Sequence, residues 1–359
     1  AGVDLPAYTP SRVSADRAFW QIVGGYNSTD HVGLKFVDVI NHHSRAGLTM
    51  DDLWAMKTDG YGQDEWMNLA ADIVGVTARL TAKFNGEHDP SQPRYARVPV
   101  GPTCAFCILM ASRGFVYWSE EKAGGRDNRY HKNDDCRIVS SWGEAHVKGY
   151  DPEGMKARYL QCRKTIAGML NRDEYGKYVA RMKDAGKDED EIDDYNLWTT
   201  HRITEEMSQR DRRWLYDGTT PEPSVESARA WSELQKHERK TLDALKDNGF
   251  AVTVRERSDK QGVKTSDAII NGKRVDFKAP EGHGKNTIDQ LLRSAARQGD
   301  AAVIHLQKER TELDAEACKD YIRSSLRRRR LDYVLLIDYD GNIVRVERDT
   351  ETASHSQSQ

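Results

Sequence analysis

No stretch of this 359-residue chain reaches 18 uninterrupted apolar residues, so no transmembrane helix is expected. Its first twenty residues hold no basic region followed by an apolar run, so no secretory signal is expected either. The start at Ala1 fits a removed Met, an engineered start or a proteolysed end alike. Cysteine is scarce: Cys104, Cys107, Cys136, Cys162 and Cys318 make an odd five, three of them clustered, which excludes a disulfide framework and points to a reduced compartment and a metal site. There is no internal repeat and little net charge, −3 overall. What is present is a charge-rich chain, 31% charged and 38% hydrophobic, long enough for two or three domains and at least one sizeable core. Residues 224–349 carry +3 and the remainder −6, a mildly basic part joined to an acidic one.

Residues 1–90 read as helical stretches broken by Gly and Pro, among them "SADRAFWQIVGGY", "DHVGLKFVDVINHH" and "DEWMNLAADIVGVTARLTAKF". Residues 98–145 read as irregular and contain the cysteine cluster, and 152–215 return to charged helices. "DGTTPEPS" marks a linker and a domain boundary at 218–224. After it the pattern predicts a long amphipathic helix over 224–247 ending at Asn248-Gly249, and then an alternating strand in "FAVTVRER". Two strands follow, joined at Asn271-Gly272, and beyond them helix, strand, helix and two final strands. That order is one α/β domain over 225–349. The last residues, 350–359, read as a disordered tail.

Within "KTSDAIINGKRVDFKAP" sit Asp267, Asp276 and Lys278. Asp276 and Lys278 are two apart in a strand and share a face, and the hairpin brings Asp267 near them. Adjacent carboxylates repel unless a divalent cation lies between them, and hard oxygen ligands suit Mg²⁺ or Mn²⁺. Two metal ligands and one ammonium are the parts that phosphodiester cleavage requires. The alternative is an exposed ion pair on an edge strand. Gln290 and Gln298, on the following helix, either touch substrate or face water, and of the two Gln290 is read as the substrate-binding residue; Arg327 to Arg330 either bind phosphate or, on balance, complement a helix dipole.

The acid, then acid-x-Lys arrangement resembles the PD-(D/E)xK nuclease superfamily, with Ser266 where Pro would stand. The resemblance implies catalytic roles for Asp267, Asp276 and Lys278, and a further metal-site acid from the first helix, for which Glu238 is placed. It implies Mg²⁺ or Mn²⁺ as the catalytic ion, with Zn²⁺ an alternative. "DAIINGKRVDFKAP", "TIDQLLRSAARQ" and "AAVIHL" look most like the C-terminal nuclease domain of CdiA-type contact-dependent inhibition toxins, a group of tRNases, over roughly 228–348.

"CAFC" places Cys104 and Cys107 at knuckle spacing, followed by His131 and Cys136, a set that would close a tetrahedral structural Zn²⁺ site. The alternative is three buried thiols near an unrelated His. "RVPVGPTCAFCILMASRGFVYWSEEKAGG" and "RYHKNDDCRIVSSW" resemble the MuF-like minor capsid, head-morphogenesis proteins of tailed phages infecting actinobacteria. Those proteins often read His-x-x-Cys-x-Cys where this chain has Asp134, so either Asp134 replaces a thiolate or Cys136 serves alone. Phe115, Tyr117 and Trp142 read as packing around this loop.

The expected architecture is therefore a helical minor-capsid module over 1–217 with a zinc-stapled loop, followed by a PD-(D/E)xK-like α/β nuclease domain. The resemblances imply a phage minor capsid protein, in the virion at the capsid interior or portal, whose nuclease cuts tRNA or DNA in a recipient cytoplasm. Portal and major capsid proteins, nucleic acid and an immunity protein are the implied partners, and no membrane is. Two rivals are a structural capsid protein with an inactive nucleic-acid-binding domain and a bacterial polymorphic toxin.

Overall fold

The computed structural model describes residues 7–13, 62–119, 122–123, 136–142, 146–259, 265–282 and 284–348. The two earlier predicted helices, His131, Asp134 and the tail from 350 lie outside the described residues. The chain forms two compact units, Ala1–Lys156 and Ala157–Gln359.

In the first unit α1 (Gln63–His88) is the predicted third helix, and β1 (Arg94–Val98) pairs antiparallel with β2 (Arg137–Ser141). Between these strands lies α2 (Ala105–Ala111), so the segment expected to be irregular contains regular structure. Cys104 is the N-cap of α2, its Sγ accepting from the Cys107 amide at 3.5 Å. Tyr95, Met110, Tyr117, Ala123 and Ile138 form a small core across these elements.

The second unit begins with helices. After α3 (Pro152–Thr165) come α4 (Arg172–Asp184), α5 (Tyr195–Ser208) and α6 (Arg212–Asp217). These helices pack on the α/β domain. The Asp211 amide donates to the Gly249 carbonyl at 2.8 Å, and Gln161 Nε2 donates to Asn248 Oδ1 at 2.6 Å. Gly249 has φ +79 and lies so close to the Trp214 indole that a Cβ would strike it. Glu206, 4% exposed, pairs with Arg210 at 2.7 Å and with Arg345 at 2.9 Å. The compact division thus falls at 156/157, whereas composition marks 218–224. The reason is that buried ion pairs and apolar contacts, not chain composition, decide which helices move with which sheet.

The α/β domain carries a seven-stranded sheet in the order β3-β4-β5-β6-β7-β8-β9. Its strands are β3 (Ser224–Val225), β4 (Val252–Val254), β5 (Ala268–Ile270), β6 (Lys273–Lys278), β7 (Ala301–His305), β8 (Tyr333–Ile337) and β9 (Ile343–Glu347). The expected single helix over 224–247 is two, α7 (Ala228–Ser232) and α8 (Lys236–Asp247). The break follows from competing caps: Ser227 caps the first helix, and Gln235 with Glu238 forms a capping box that starts the second. The remaining helices are α9 (Lys285–Ala295) and α10 (Ala315–Leu326).

Period-two alternation gives the sheet two buried faces. Val275, Phe277, Ala301, Val303, Leu335 and Ile337 pack with Leu242 and Leu245 of α8. Ala302, Ile304, Val334 and Leu336 face the opposite way, with Ile288 and Leu292 of α9 and Ile322 of α10. The β5–β6 turn has Asn271 at φ 50 and Gly272 at φ 76, the double left-handed geometry of a two-residue hairpin.

Candidate active site

Because the hairpin turn has two residues, Ile270 pairs with Lys273 and Ala268 with Val275. One further step along that register sets Asp267 opposite Asp276, on one face of the ribbon. Asp276 is 1% exposed and the Asp267 side chain 10%. Like charges directly opposite on a sheet oppose folding. The consequence is visible in Asp267, whose carboxyl is pushed up to about 6 by burial and then by the neighbouring Asp276 charge. The Phe277 amide, donating to Asp267 Oδ2 at 2.7 Å, and the Lys278 charge pull the other way without prevailing.

Lys278 Nζ pairs with Asp276 Oδ2 and also donates to the Phe277 carbonyl at 3.3 Å. On the other side, Gln298 Nε2 donates to Asp276 Oδ2 at 3.4 Å. Gln290 lies exposed on α9. Of the two glutamines on that segment, the structure brings Gln298 to the site.

Glu238 stands in the first turn of α8 and is 5% exposed. Its Oε2 accepts from the Gln235 amide at 2.8 Å, closing the capping box. Both of its oxygens also accept from Arg257 Nη2, at 2.8 and 3.0 Å, and the same Nη2 lies 3.8 Å from Asp267 Oδ1. Arg257 thus links the helix acid to the hairpin acids. Sequence reasoning missed it, and its only signal is parity: it follows β4 two residues after Arg255, whose amide continues the ladder by donating to the Asp267 carbonyl at 2.9 Å. His237, beside Glu238, is lowered below its ordinary value, chiefly by burial. His305 at the end of β7 is lowered to about 4 by burial, and its Nδ1 lies 3.0 Å from Thr241 Oγ1. Arg328 and Arg329 are held by Asp289 at 3.0 and 2.8 Å, a structural role for these two arginines of the basic run.

Asp267 and Asp276 together present buried carboxylate oxygens whose mutual repulsion a divalent cation would relieve, so the donor set fits Mg²⁺ or Mn²⁺. Among the described residues no group of three or more His, Cys, Asp or Glu side chains is arranged to hold a metal. At the other candidate centre, Cys107 is buried and its thiol is raised to about 11. A hydrogen bond with Cys104 lowers it, but one with Cys136 and burial outweigh that. Arg97, 1% exposed, donates to Cys107 Sγ at 3.5 Å. Tyr117 packs against this core and donates to the Met110 carbonyl at 3.0 Å, while Trp142 is 48% exposed.

A cleft of about 370 Å³ lies away from the acids, between α4, α5 and β9. Its charged groups are largely paired, Lys177 with Glu174, His201 with Asp193 and Arg202 with Glu347.

Residues 264–343 match the family described as the contact-dependent growth inhibition CdiA C-terminal domain. Residues 40–162 match the VG15 protein family. The two matched segments do not overlap: the first is similar to the CdiA C-terminal domain family and the second to the VG15 protein family. The CdiA-type match contains Asp267, Asp276, Lys278 and Gln298 but stops short of Arg257 and Glu238. The VG15 match contains Cys104, Cys107, His131 and Cys136. Among solved structures, a CdiA-CT/CdiI toxin and immunity complex from Burkholderia pseudomallei is 25% identical, covering 30% of this chain and 80% of that one, with a TM-score of 0.25. No curated protein compared with the chain matches it.

Proposed function

We propose that the C-terminal domain is a metal-dependent endonuclease toxin that cleaves phosphodiester bonds in tRNA or DNA. The observation that carries this reading is the buried set of Asp267 opposite Asp276 with Lys278 paired to it. Two acids driven together at the cost of a carboxyl raised to about 6 are a stability liability, and such liabilities concentrate where chemistry needs them. The CdiA-type family match over the same residues supports it.

Asp267 and Asp276 would hold the divalent cation, and Glu238, whose oxygens are engaged by Arg257 and the Gln235 amide, would join them once Arg257 moves aside. When bound, the ion supplies an activated water and charge stabilisation at the phosphate. Lys278 places an ammonium beside the same spot, suited to the charge that builds on phosphate oxygens in the transition state. Gln298 holds Asp276 from the helix side and fixes its orientation.

The VG15 segment is proposed as a minor-capsid module that carries the toxin in the virion, at the capsid interior or portal, for delivery to a recipient cytoplasm. An immunity protein, and portal and major capsid proteins, are the proposed partners. Cys104, Cys107, Cys136 and His131 are proposed to hold a structural Zn²⁺, with Arg97 offering a buried cation to the thiolates.

The test is incubation of the full chain with tRNA and with duplex DNA, with and without Mg²⁺, Mn²⁺ or Zn²⁺. Cleavage that needs the ion and is abolished in both Asp276→Asn and Lys278→Ala, with circular dichroism unchanged, is expected. Wild-type cleavage in Asp276→Asn would remove the assignment.

A further inference from the structure

Arg257 is the feature of the site that its proposed chemistry leaves unused. Its Nη2 contacts both Glu238 oxygens and faces Asp267 Oδ1 at 3.8 Å. Glu238 Oε2 is additionally taken by the Gln235 amide. The helix acid therefore has its oxygens engaged by protein donors, and the donor between it and Asp267 is a cation. A guanidinium is permanently charged, so it cannot leave by losing a proton. It can leave by moving: the Arg257 side chain is 40% exposed, whereas Glu238 is 6% exposed and anchored in the first turn of α8.

We propose that Arg257 competes with the divalent cation for Glu238 and Asp267, so that the site takes up its metal only as this side chain swings out. The proposal rests on the metal-dependent reading of the acid set. Arg257 Nη2 lies between Glu238 and Asp267, so a divalent cation held by the same two acids would face a like charge at close range, and occupancy by one opposes the other. By linkage, whatever draws Arg257 away strengthens metal binding by the same factor. A polyanionic substrate is the chemistry that would do so, because a phosphodiester offers a guanidinium the bidentate partner it otherwise finds in Glu238. The free chain would then be held in a poorly metallated state until nucleic acid arrives.

The experiment is titration calorimetry of the full chain with Mn²⁺, starting from metal-free protein. The double variant Asp267→Asn/Asp276→Asn measures Mn²⁺ bound elsewhere and is subtracted. Arg257→Gln is expected to bind Mn²⁺ at the acid site about tenfold or more tightly than wild type, since one neighbouring charge of like sign is worth at least that much. Arg257→Lys, which keeps a charge, is expected to stay within a few-fold of wild type. Equal or weaker binding in Arg257→Gln, in a site that the double variant abolishes, would overturn the competition while leaving the metal site standing. If neither wild type nor Arg257→Gln binds Mn²⁺ beyond the double variant, the competition and the metal-dependent function fall together. Thermal melts of each variant, matched to wild type, check that the fold is intact.

Discussion

Replacing Asp267 by Asn should make the metal-free chain more stable at neutral pH while destroying its proposed activity. The Asp267 carboxyl is held at about 6 when folded, against an ordinary 3.8, first by burial and then by Asp276. A carboxyl with a raised folded value binds its proton more tightly in the native state than in the unfolded chain. Its favourable contribution is complete below 3.8 and is lost as pH rises through 6. At about 1.4 kcal/mol per pH unit, ionised Asp267 costs the fold about 3 kcal/mol by pH 7.5. The Asn amide has no charge to desolvate, and its oxygen can still accept from the Phe277 amide. Urea unfolding in EDTA, following the transition of the second compact unit, should show Asp267→Asn about 3 kcal/mol above wild type at pH 7.5 and level with it near pH 4. Millimolar Mg²⁺ should shrink the gap at pH 7.5 by stabilising only wild type. An Asn variant less stable than wild type at pH 7.5, or an offset that does not change with pH, would refute the reasoning.

Glu206→Ala should destabilise the second unit by about 3–5 kcal/mol, because it strands Arg210 and Arg345, 1% and 9% exposed, without their shared carboxylate. A triple exchange of these residues for apolar ones of similar size should restore most of the loss in the same urea assay. Freshly purified, reduced protein should carry about one Zn²⁺ per chain by elemental analysis, and Cys107→Ser should lose it; a zinc-free wild type would sink the stapled-loop proposal. Protease nicking within the 219–223 segment, exposed at Thr219, Thr220 and Glu222, should leave both fragments together on native chromatography, since Gln161–Asn248, Asp211–Gly249 and Glu206–Arg345 contacts cross the cut. Fragments that separate without denaturant would show those contacts to be too weak to join the helices to the sheet.

The heart of the candidate site was legible because it is local. Asn271-Gly272 dictates a two-residue turn, the turn dictates the register, and the register sets Asp267 opposite Asp276 with Lys278 two residues on. The same period-two and helical patterns marked β5 to β9, α9 and α10. Local signals also misled: the amphipathic run over 224–247 hides a helix break, because two capping arrangements compete within it and the second starts α8 at Lys236. The helix pattern singles out Gln290 as the substrate-contacting glutamine, and only the chain's path after α9 carries Gln298 to Asp276.

By itself, then, the sequence determined the hairpin, its paired acids and lysine, the α/β order and the thiol spacing at Cys104 and Cys107, all set by interactions within a few residues. Tertiary structure alone decided the rest. It brought Arg257 from beyond β4 between Glu238 of α8, 19 residues away, and Asp267 of the hairpin, contacts that depend on how a helix docks over a sheet. It also assigned the helices from 157 to 217 to the sheet through Glu206, Arg210 and Arg345, a buried charge cluster whose members lie up to 139 positions apart (from 206 to 345) and carry no pattern that a linear reading could detect.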